Sequence, residues 1–334
     1  MVANNPLVSI IIPNYNREHK VVRAVRSCLS QSYTNLEVVV VDDGSTDGSQ
    51  EVLRKLAGED SRIRPILNSV NRGGNHCRNV GLQECRGAYV AFLDSDDEYH
   101  PAKIETQLQK FGPDDRVRVV VGSTVVKRER DDQTVRYTNR RIRPLSLEPR
   151  MLLDHYASKR FAWLTHEPLW ERAFLQQVGG FSERLKNSQE YEFHTRALSF
   201  FPPVAIVEDC LATVYLHDGA ERINGPSRKE GGKIERHFNS KVLSRFLVAQ
   251  NLLTKGLFTK SVANYLLRFS AGILLRCYRI SPALGFRVAK YMTICAWQTF
   301  GKAGQSLRAG RQLLQSPQVP GNGTPFAQPS KRKS

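Results

Sequence analysis

The run Asp94-Ser95-Asp96-Asp97-Glu98 places four carboxylates within five positions, directly after the apolar segment Tyr89-Val90-Ala91-Phe92-Leu93. Carboxylates this close repel one another unless a positive charge sits among them. A hard divalent cation that also takes phosphate oxygens is a neutraliser of the right chemistry; a solvated polar loop is the plain alternative. A second acidic pair, Asp42-Asp43, precedes the turn Gly44-Ser45-Thr46-Asp47. Two carboxylates there either accept hydrogen bonds from a nucleobase and ribose or close an Asx turn, with Asp47 the better cap for the next helix. In Arg72-Gly73-Gly74-Asn75 the backbone amides either approach a phosphate or only turn the chain. Arg78 and Asn79, just beyond, face either a ligand or solvent.

These groups need elements to hold them. Residues 7–12, 36–41, 63–67 and 89–93 are short apolar runs of the buried-strand type. Between them, apolar residues recur at helical spacing over 18–31, around Val52, Leu53 and Leu56, and over 76–85. Strand–helix alternation of this kind predicts an α/β fold with a mostly parallel, doubly wound, Rossmann-like sheet flanked by helices. Right-handed crossovers then bring the loops after Ile12, Val41 and Leu93 to one rim. Further on, a helix is expected after Pro101, strands over 117–126 and 134–137, and a short helix over 169–178 ending at Gly179-Gly180. Another helix is expected over 188–200, with one or more strands over 204–216.

Taken in order, Ser9-Ile-Ile-Ile-Pro13-Asn-Tyr15-Asn, Val41-Asp42-Asp43-Gly-Ser-Thr-Asp, Asn71-Arg-Gly-Gly-Asn, Cys77-Arg78-Asn79-Val-Gly81 and Phe92-Leu93-Asp94-Ser-Asp96-Asp97 resemble glycosyltransferase family 2, with its GT-A fold. The resemblance implies that Pro13 and Tyr15 flank a nucleobase, that Asp43 bonds a uracil edge beside Asp42, and that Arg78 and Ser95 belong to the donor site. Asp94-Ser95-Asp96 matches the family's D-x-D motif, which engages the ribose of the donor and a Mn²⁺ or Mg²⁺ ion. Asp96 is the first candidate metal ligand, with Asp94, neighbouring Asp97 and His217 behind it. Gly179-Gly180-Phe181-Ser182-Glu183 and Gln189-Glu190-Tyr191-Glu192 resemble the segments that carry the family's catalytic base, here Glu190. Gln189 departs from the usual acid, and Glu190 is one methylene longer than the usual Asp. His166 and Trp170 fall where the family faces its acceptor, although Trp170 equally suits a core and a lone His217 equally suits a structural role.

The chain carries 49 Lys and Arg against 32 Asp and Glu, a formal charge of +17, which implies an anionic partner. From Arg228 to Arg311 the acids are only Glu230 and Glu235. Composition thus divides the chain into a glycosyltransferase domain over 1–225 (donor half 1–112, acceptor half 113–225), a basic amphipathic extension over 226–315 and a disordered tail over 316–334. Leu243, Phe246, Leu247, Leu252, Leu253, Leu266 and Leu267, interrupted by cations, predict docking on an anionic membrane surface. Packing on the catalytic domain or a second subunit is the other use for such faces. Six scattered cysteines without a C-x-x-C pair predict a reducing compartment and no structural zinc. Neither a signal peptide nor a spanning helix is expected, so the protein reads as cytoplasmic and peripheral at the inner face of the plasma membrane. No nucleic-acid reader motif accompanies the charge.

The sequence therefore predicts a metal-dependent, inverting glycosyltransferase that moves sugar from a nucleotide-sugar donor, a UDP-sugar by preference, to a glycan or lipid-linked acceptor. A membrane-docked, non-catalytic nucleotide-sugar-binding scaffold is the alternative of another class. A sugar-phosphate nucleotidyltransferase fits less well, because Pro13-Asn14-Tyr15-Asn16 stands where its Gly-rich loop would be.

Overall fold

A computed structural model describes residues 5–112, 116–129, 135–217 and 231–280; side chains at 129, 135–137, 217, 231–239 and 272–280 are outside the description. Four strands build the first half: β1 (Val8–Asn14), β2 (Leu36–Asp42), β3 (Ile63–Leu67) and β4 (Tyr89–Phe92), joined by helices α1 (Glu18–Leu29), α2 (Ser49–Glu59) and α3 (Gly74–Glu84). β1 pairs in parallel with both β2 and β4, and β2 with β3. The inward residues Ile10, Ile11, Ile12, Val38, Val39, Val40 and Val41 are fully buried, as strands covered on both faces require. Packing is tight where α3 crosses β1. A Cβ on Gly81 would lie 2.4 Å from Ile11 Cγ2, so only glycine fits.

The second half changes the sheet's character. After β5 (Glu98–Tyr99) and α4 (Lys103–Leu108) come β6 (Val119–Glu129), β7 (Val135–Arg140), α5 (Pro149–Ala157), β8 (Pro168–Glu171), α6 (Arg172–Val178), α7 (Gln189–Leu198) and β9 (Val204–His217). The strand order is β3-β2-β1-β4-β8-β6-β9-β5, with β7 added on β6. β8 runs antiparallel to both β4 and β6. The sheet is therefore mixed, and the helix expected over 169–178 gives its first residues to a strand. Pairing of Val90 and Val119 with Trp170 accounts for the change, because a short segment between two open strand edges gains ladder bonds that an isolated helical turn lacks.

The basic extension is helical where it is described: α8 (Gly231–Thr254) and α9 (Lys260–Ile280). Several of its described apolar positions face inward. Val248, Ala249, Leu252, Val262 and Leu266 are buried in the same core as Leu152, Tyr156, Tyr191 and Trp170. Leu253 is also buried, and Phe246 and Leu267 pack against that core. Of the faces on which membrane docking was expected, these are covered by α5 and α7. No helix among the described residues is long and apolar enough to cross a membrane. The boundary expected near residue 225 and the tail over 316–334 lie outside the described residues.

Candidate active site

The parallel half places the carboxyl ends of β1, β2 and β4 on one rim, where open α/β sheets keep their ligand crevices. Pro13 sits opposite Val41 at the end of β1, and Tyr15, just beyond, is exposed. Asp42 is fully buried: it accepts from Asn14 Nδ2 (2.9 Å), Ser45 N (2.8 Å), Ser45 Oγ (2.6 Å) and Gln50 Nε2 (3.0 Å). Four donors leave it no free lone pair for a ligand, so it acts here as the Asx-turn closure. Asp47 caps in a similar way, accepting from Ser49 N and from Glu18 N.

Asp43 reaches across to the glycine loop. Its two oxygens accept from Arg72 N (2.8 Å) and Gly73 N (2.7 Å). Gly73 has φ +99°, a conformation that other residues rarely adopt. Asp43 therefore fixes the loop whose amides were expected near a phosphate, and its own position at the end of β2 is held by the same two bonds. Farther along, Arg78 donates to Asp94 Oδ1 (2.6 Å) and to Asn75 Oδ1 (3.2 Å). Arg78 is buried, so the ligand-facing alternative holds only through Asp94.

The acidic loop meets cations that the sequence did not single out. Arg17 Nη1 lies 2.5 Å from Asp96 Oδ1 and 3.5 Å from Ser95 Oγ, while Arg23 bonds the Asp96 carbonyl and Glu98. Burial would raise the Asp94 carboxyl, but the groups around it, Arg78 foremost and Arg17 among them, together hold it low. Asp97 goes the other way: burial, with Asp96 and Asp94 beside it, pushes its carboxyl well up. Asp97 accepts from Tyr215 N and lies 3.7 Å from His166 Nδ1. Asp94 and Asp96 are thus the half-buried pair on the rim, each with an arginine against it.

That pair suits a hard cation. Among the described residues no three His, Cys, Asp or Glu side chains gather into a metal cage. A Mg²⁺- or Mn²⁺-type site needs none, since such ions are held by one or two carboxylates plus substrate phosphates. Asp94 and Asp96 have that chemistry. His217 ends β9 opposite Glu129, and its side chain is outside the described residues.

The acceptor half divides the remaining candidates. Glu190 lies in the first turn of α7, partly exposed, and no hydrogen bond or ion pair ties its carboxylate to another described residue. Gln189 Oε1, next to it, is buried without a donor among the described residues. His166 is 3 % exposed and meets Thr124 Oγ1 at 3.2 Å. Burial pulls its pKa down to about 3, so it is neutral. Its reach toward Asp97 puts it beneath the acidic loop rather than on an open acceptor surface. Trp170, 1 % exposed, packs on Phe174, Phe193 and His194. It is a core residue, enclosed by those rings.

Three more residues organise the site, and of these Glu167 and Arg196 did not stand out in sequence. Glu167, buried beside His166, is paired with Arg140 and accepts from Thr124 Oγ1 (2.7 Å). Arg196, on α7, donates to the carbonyls of Val178 (2.6 Å) and Gly180 (2.7 Å) and to both oxygens of Glu192. Asn79 takes the Phe181 N–H on Oδ1 and donates to Phe181 O and Glu183. The Gly179-Gly180-Phe181 turn is thereby tied to the donor half. Only the Glu192–Arg196 spacing of four on a helix was a readable signal.

Comparison with known proteins gives this geometry a family. Residues 9–172 match the family described as Glycosyl transferase family 2. The chain belongs to glycosyl transferase family 2. Among its family relatives, WfaP of Escherichia coli, a UDP-Glc:alpha-D-GlcNAc-diphosphoundecaprenol beta-1,3-glucosyltransferase, is 43% identical over 102 residues, 30% of this chain and 40% of that protein. The chain spans about two-fifths of the length of the curated relatives it matches first, for instance 42% of an uncharacterized glycosyltransferase from Haemophilus influenzae. In fold the family member resembles TarS of S. aureus, solved in complex with UDP, with a TM-score of 0.59 and 19% identity over 92% of this chain and 87% of that one. It also resembles the mannosyltransferase PcManGT from Pyrobaculum calidifontis, solved with GDP-Man and Mn2+, with a TM-score of 0.51 and 18% identity over 90% and 88% of the two chains. The fold is that of the GT-A glycosyltransferases.

Proposed function

We propose that this protein is a metal-dependent, inverting glycosyltransferase that transfers a sugar from a UDP-sugar to a hydroxyl of a glycan or lipid-linked acceptor. The observation that carries the reading is the shared rim: Tyr15, Asp43, the Gly73 loop and the Asp94–Asp96 pair converge from three parallel strands. Support from outside the chain is that TarS was solved with UDP, PcManGT with GDP-Man and Mn2+, and that WfaP is named for a UDP-Glc donor and a diphosphoundecaprenol-linked acceptor.

Tyr15 offers a ring for stacking on the nucleobase, and Asp43 meets its polar edge from a position fixed by two amide bonds. Asp94 and Asp96 hold a divalent ion, with Arg78 and Arg17 as their partners when the donor is absent. A divalent ion held there with the diphosphate supplies charge neutralisation to the leaving nucleotide. Glu190 accepts the proton of the acceptor hydroxyl as that oxygen bonds to the anomeric carbon and the carbon–diphosphate bond breaks. A single displacement of this kind inverts the anomeric centre. A carboxylate with no competing hydrogen bond is free for such work.

The test is a panel of UDP-sugars with Mn²⁺, scored for hydrolysis and transfer. Glu190→Gln should bind UDP as wild type does and lose transfer by about 10²-fold or more; transfer at the wild-type rate removes Glu190 as base. Asp96→Ala should abolish the Mn²⁺-dependence of UDP binding, and an unchanged dependence removes the metal assignment.

A further inference from the structure

Three arginines hold the acidic loop, and they hold it differently. Arg78 is buried, bonds Asn75 and Asp94, and lies with its guanidinium 5.6 Å from the centre of the Phe181 ring. Arg23 bonds the Asp96 carbonyl (2.7 Å), lies 2.9 Å from Glu98 Oε1 and stacks over the Tyr215 ring at 3.7 Å. Both guanidinium groups are pinned from several sides. Arg17 is anchored by its backbone instead. Its N–H donates to Ser49 Oγ (3.2 Å), and the preceding Asn16 is tied to the turn after β2 through Ser45 Oγ (2.9 Å) and the Thr46 amide (2.8 Å). Its guanidinium meets only the acidic loop among the described residues, at Asp96 Oδ1 (2.5 Å) and Ser95 Oγ (3.5 Å). The side chain is 20% exposed, so the guanidinium can turn along the rim without opening the core.

The carboxylate that Arg17 holds belongs to Asp96, the first candidate ligand for a divalent ion. A guanidinium and a metal ion on one oxygen repel each other, and more strongly where water is partly excluded. A metal ion arriving alone must therefore break this ion pair and leave Arg17 without a partner. A diphosphate changes that balance. β1 lies between β2, which ends at Asp43, and β4, which leads into the acidic loop. Arg17 springs from the end of β1, two residues after Tyr15, and so stands between the proposed base platform and the acidic loop that a nucleoside diphosphate would span. Guanidinium groups take phosphate oxygens in the same forked geometry as carboxylates. We infer that Arg17 binds the diphosphate of the donor: its guanidinium leaves Asp96 for phosphate oxygens and thereby couples metal binding at that carboxylate to the presence of a nucleoside diphosphate. The inference rests on the glycosyltransferase reading above, and adds a donor-binding residue and a coupling between metal and nucleotide.

The experiment measures Mn²⁺ binding to the full chain, with and without UDP, by the paramagnetic resonance of the free ion, and UDP binding by calorimetry. Arg17→Met keeps an apolar stem and drops the charge. It should bind Mn²⁺ alone about tenfold tighter than wild type, since one charge-assisted bond no longer competes. A damaged fold would not produce such a gain, and adding Asp96→Ala should abolish it. With UDP bound, the two proteins should hold Mn²⁺ about equally. The factor by which UDP tightens Mn²⁺ should therefore shrink about tenfold in the variant, and by linkage so should the factor by which Mn²⁺ tightens UDP. UDP should bind the variant more weakly with or without metal. Mn²⁺ affinity that is unchanged or lower in Arg17→Met overturns the inference, as does a gain that survives Asp96→Ala. Equal UDP affinity in wild type and variant also overturns it, because the guanidinium would then not reach the diphosphate. In those cases both proteins still take up UDP and the transferase reading stands. If neither protein takes up UDP at any Mn²⁺ concentration, that reading fails and the inference falls with it.

Discussion

Asp43 serves two ends at once, and substitution separates them. Its oxygens receive the Arg72 and Gly73 amides at 2.8 and 2.7 Å. Hydrogen bonds to a charged group contribute about 1.5–3 kcal/mol each when buried. Arg72 is exposed, so water refills part of what is lost and the low end applies. Asp43→Asn keeps one acceptor oxygen and turns an NH₂ toward the other amide, which should lower the unfolding free energy by about 1–2 kcal/mol. Asp43→Ala frees both amides and should cost about 2–3 kcal/mol. Urea unfolding measures the stability, hydrogen exchange at Arg72 and Gly73 measures the loop, and calorimetry measures UDP affinity. Both variants should speed exchange at these two amides and weaken UDP binding. If Asp43→Asn unfolds and exchanges like wild type while UDP binding falls, the carboxylate reads the base without holding the loop, and the argument from its two amides is refuted.

Two further perturbations test the frame. Lys103 is fully buried, donates to Gln107 Oε1 and the Glu167 carbonyl, and is pulled by burial to a pKa of about 7. An unfolded lysine, near 10.4, keeps a proton above pH 7 that the folded one gives up, so this group makes stability rise with pH between the two values. The unfolding free energy of wild type minus that of Lys103→Met should therefore grow from pH 7 to pH 10; parallel curves would contradict the assignment. Gly81→Ala forces a Cβ to 2.4 Å from Ile11 Cγ2. Overpacking of about 1–3 kcal/mol should exceed the ~1 kcal/mol helix gain, so a stabilised variant in urea would show that α3 shifts freely on β1.

Alternating apolar runs and helical spacing made the parallel half legible, since each of its strands and helices carries its own period in the sequence. The loops after Ile12, Val41 and Leu93 meet as that topology demands. β8 was not legible, because Leu169 and Trp170 satisfy helix and strand alike until Val90 and Val119 offer edges. The same pairing decided Trp170, which sequence left open between core and acceptor. Acidic residues announced the site, but their arginine partners did not: Arg17 is 79 positions from Asp96, and only folding brings them to 2.5 Å. Charge asymmetry set the extension apart, yet could not say that Leu252 and Leu266 on its described helices turn inward.

That inward turn makes α8 a buttress for the helix bearing Glu190. Ser240 accepts from the Lys186 and Asn187 amides and donates to the Asn187 carbonyl, bracing the segment that leads into α7. Cutting the chain before α8 would strip this brace and bare the wall that Val248 and Leu252 cover. A truncated protein that sticks to vesicles, or fails to turn over, would report a wound in the catalytic half rather than a missing membrane anchor. Point changes to the outward cations of α8 and α9 are the cleaner probe of what the extension touches.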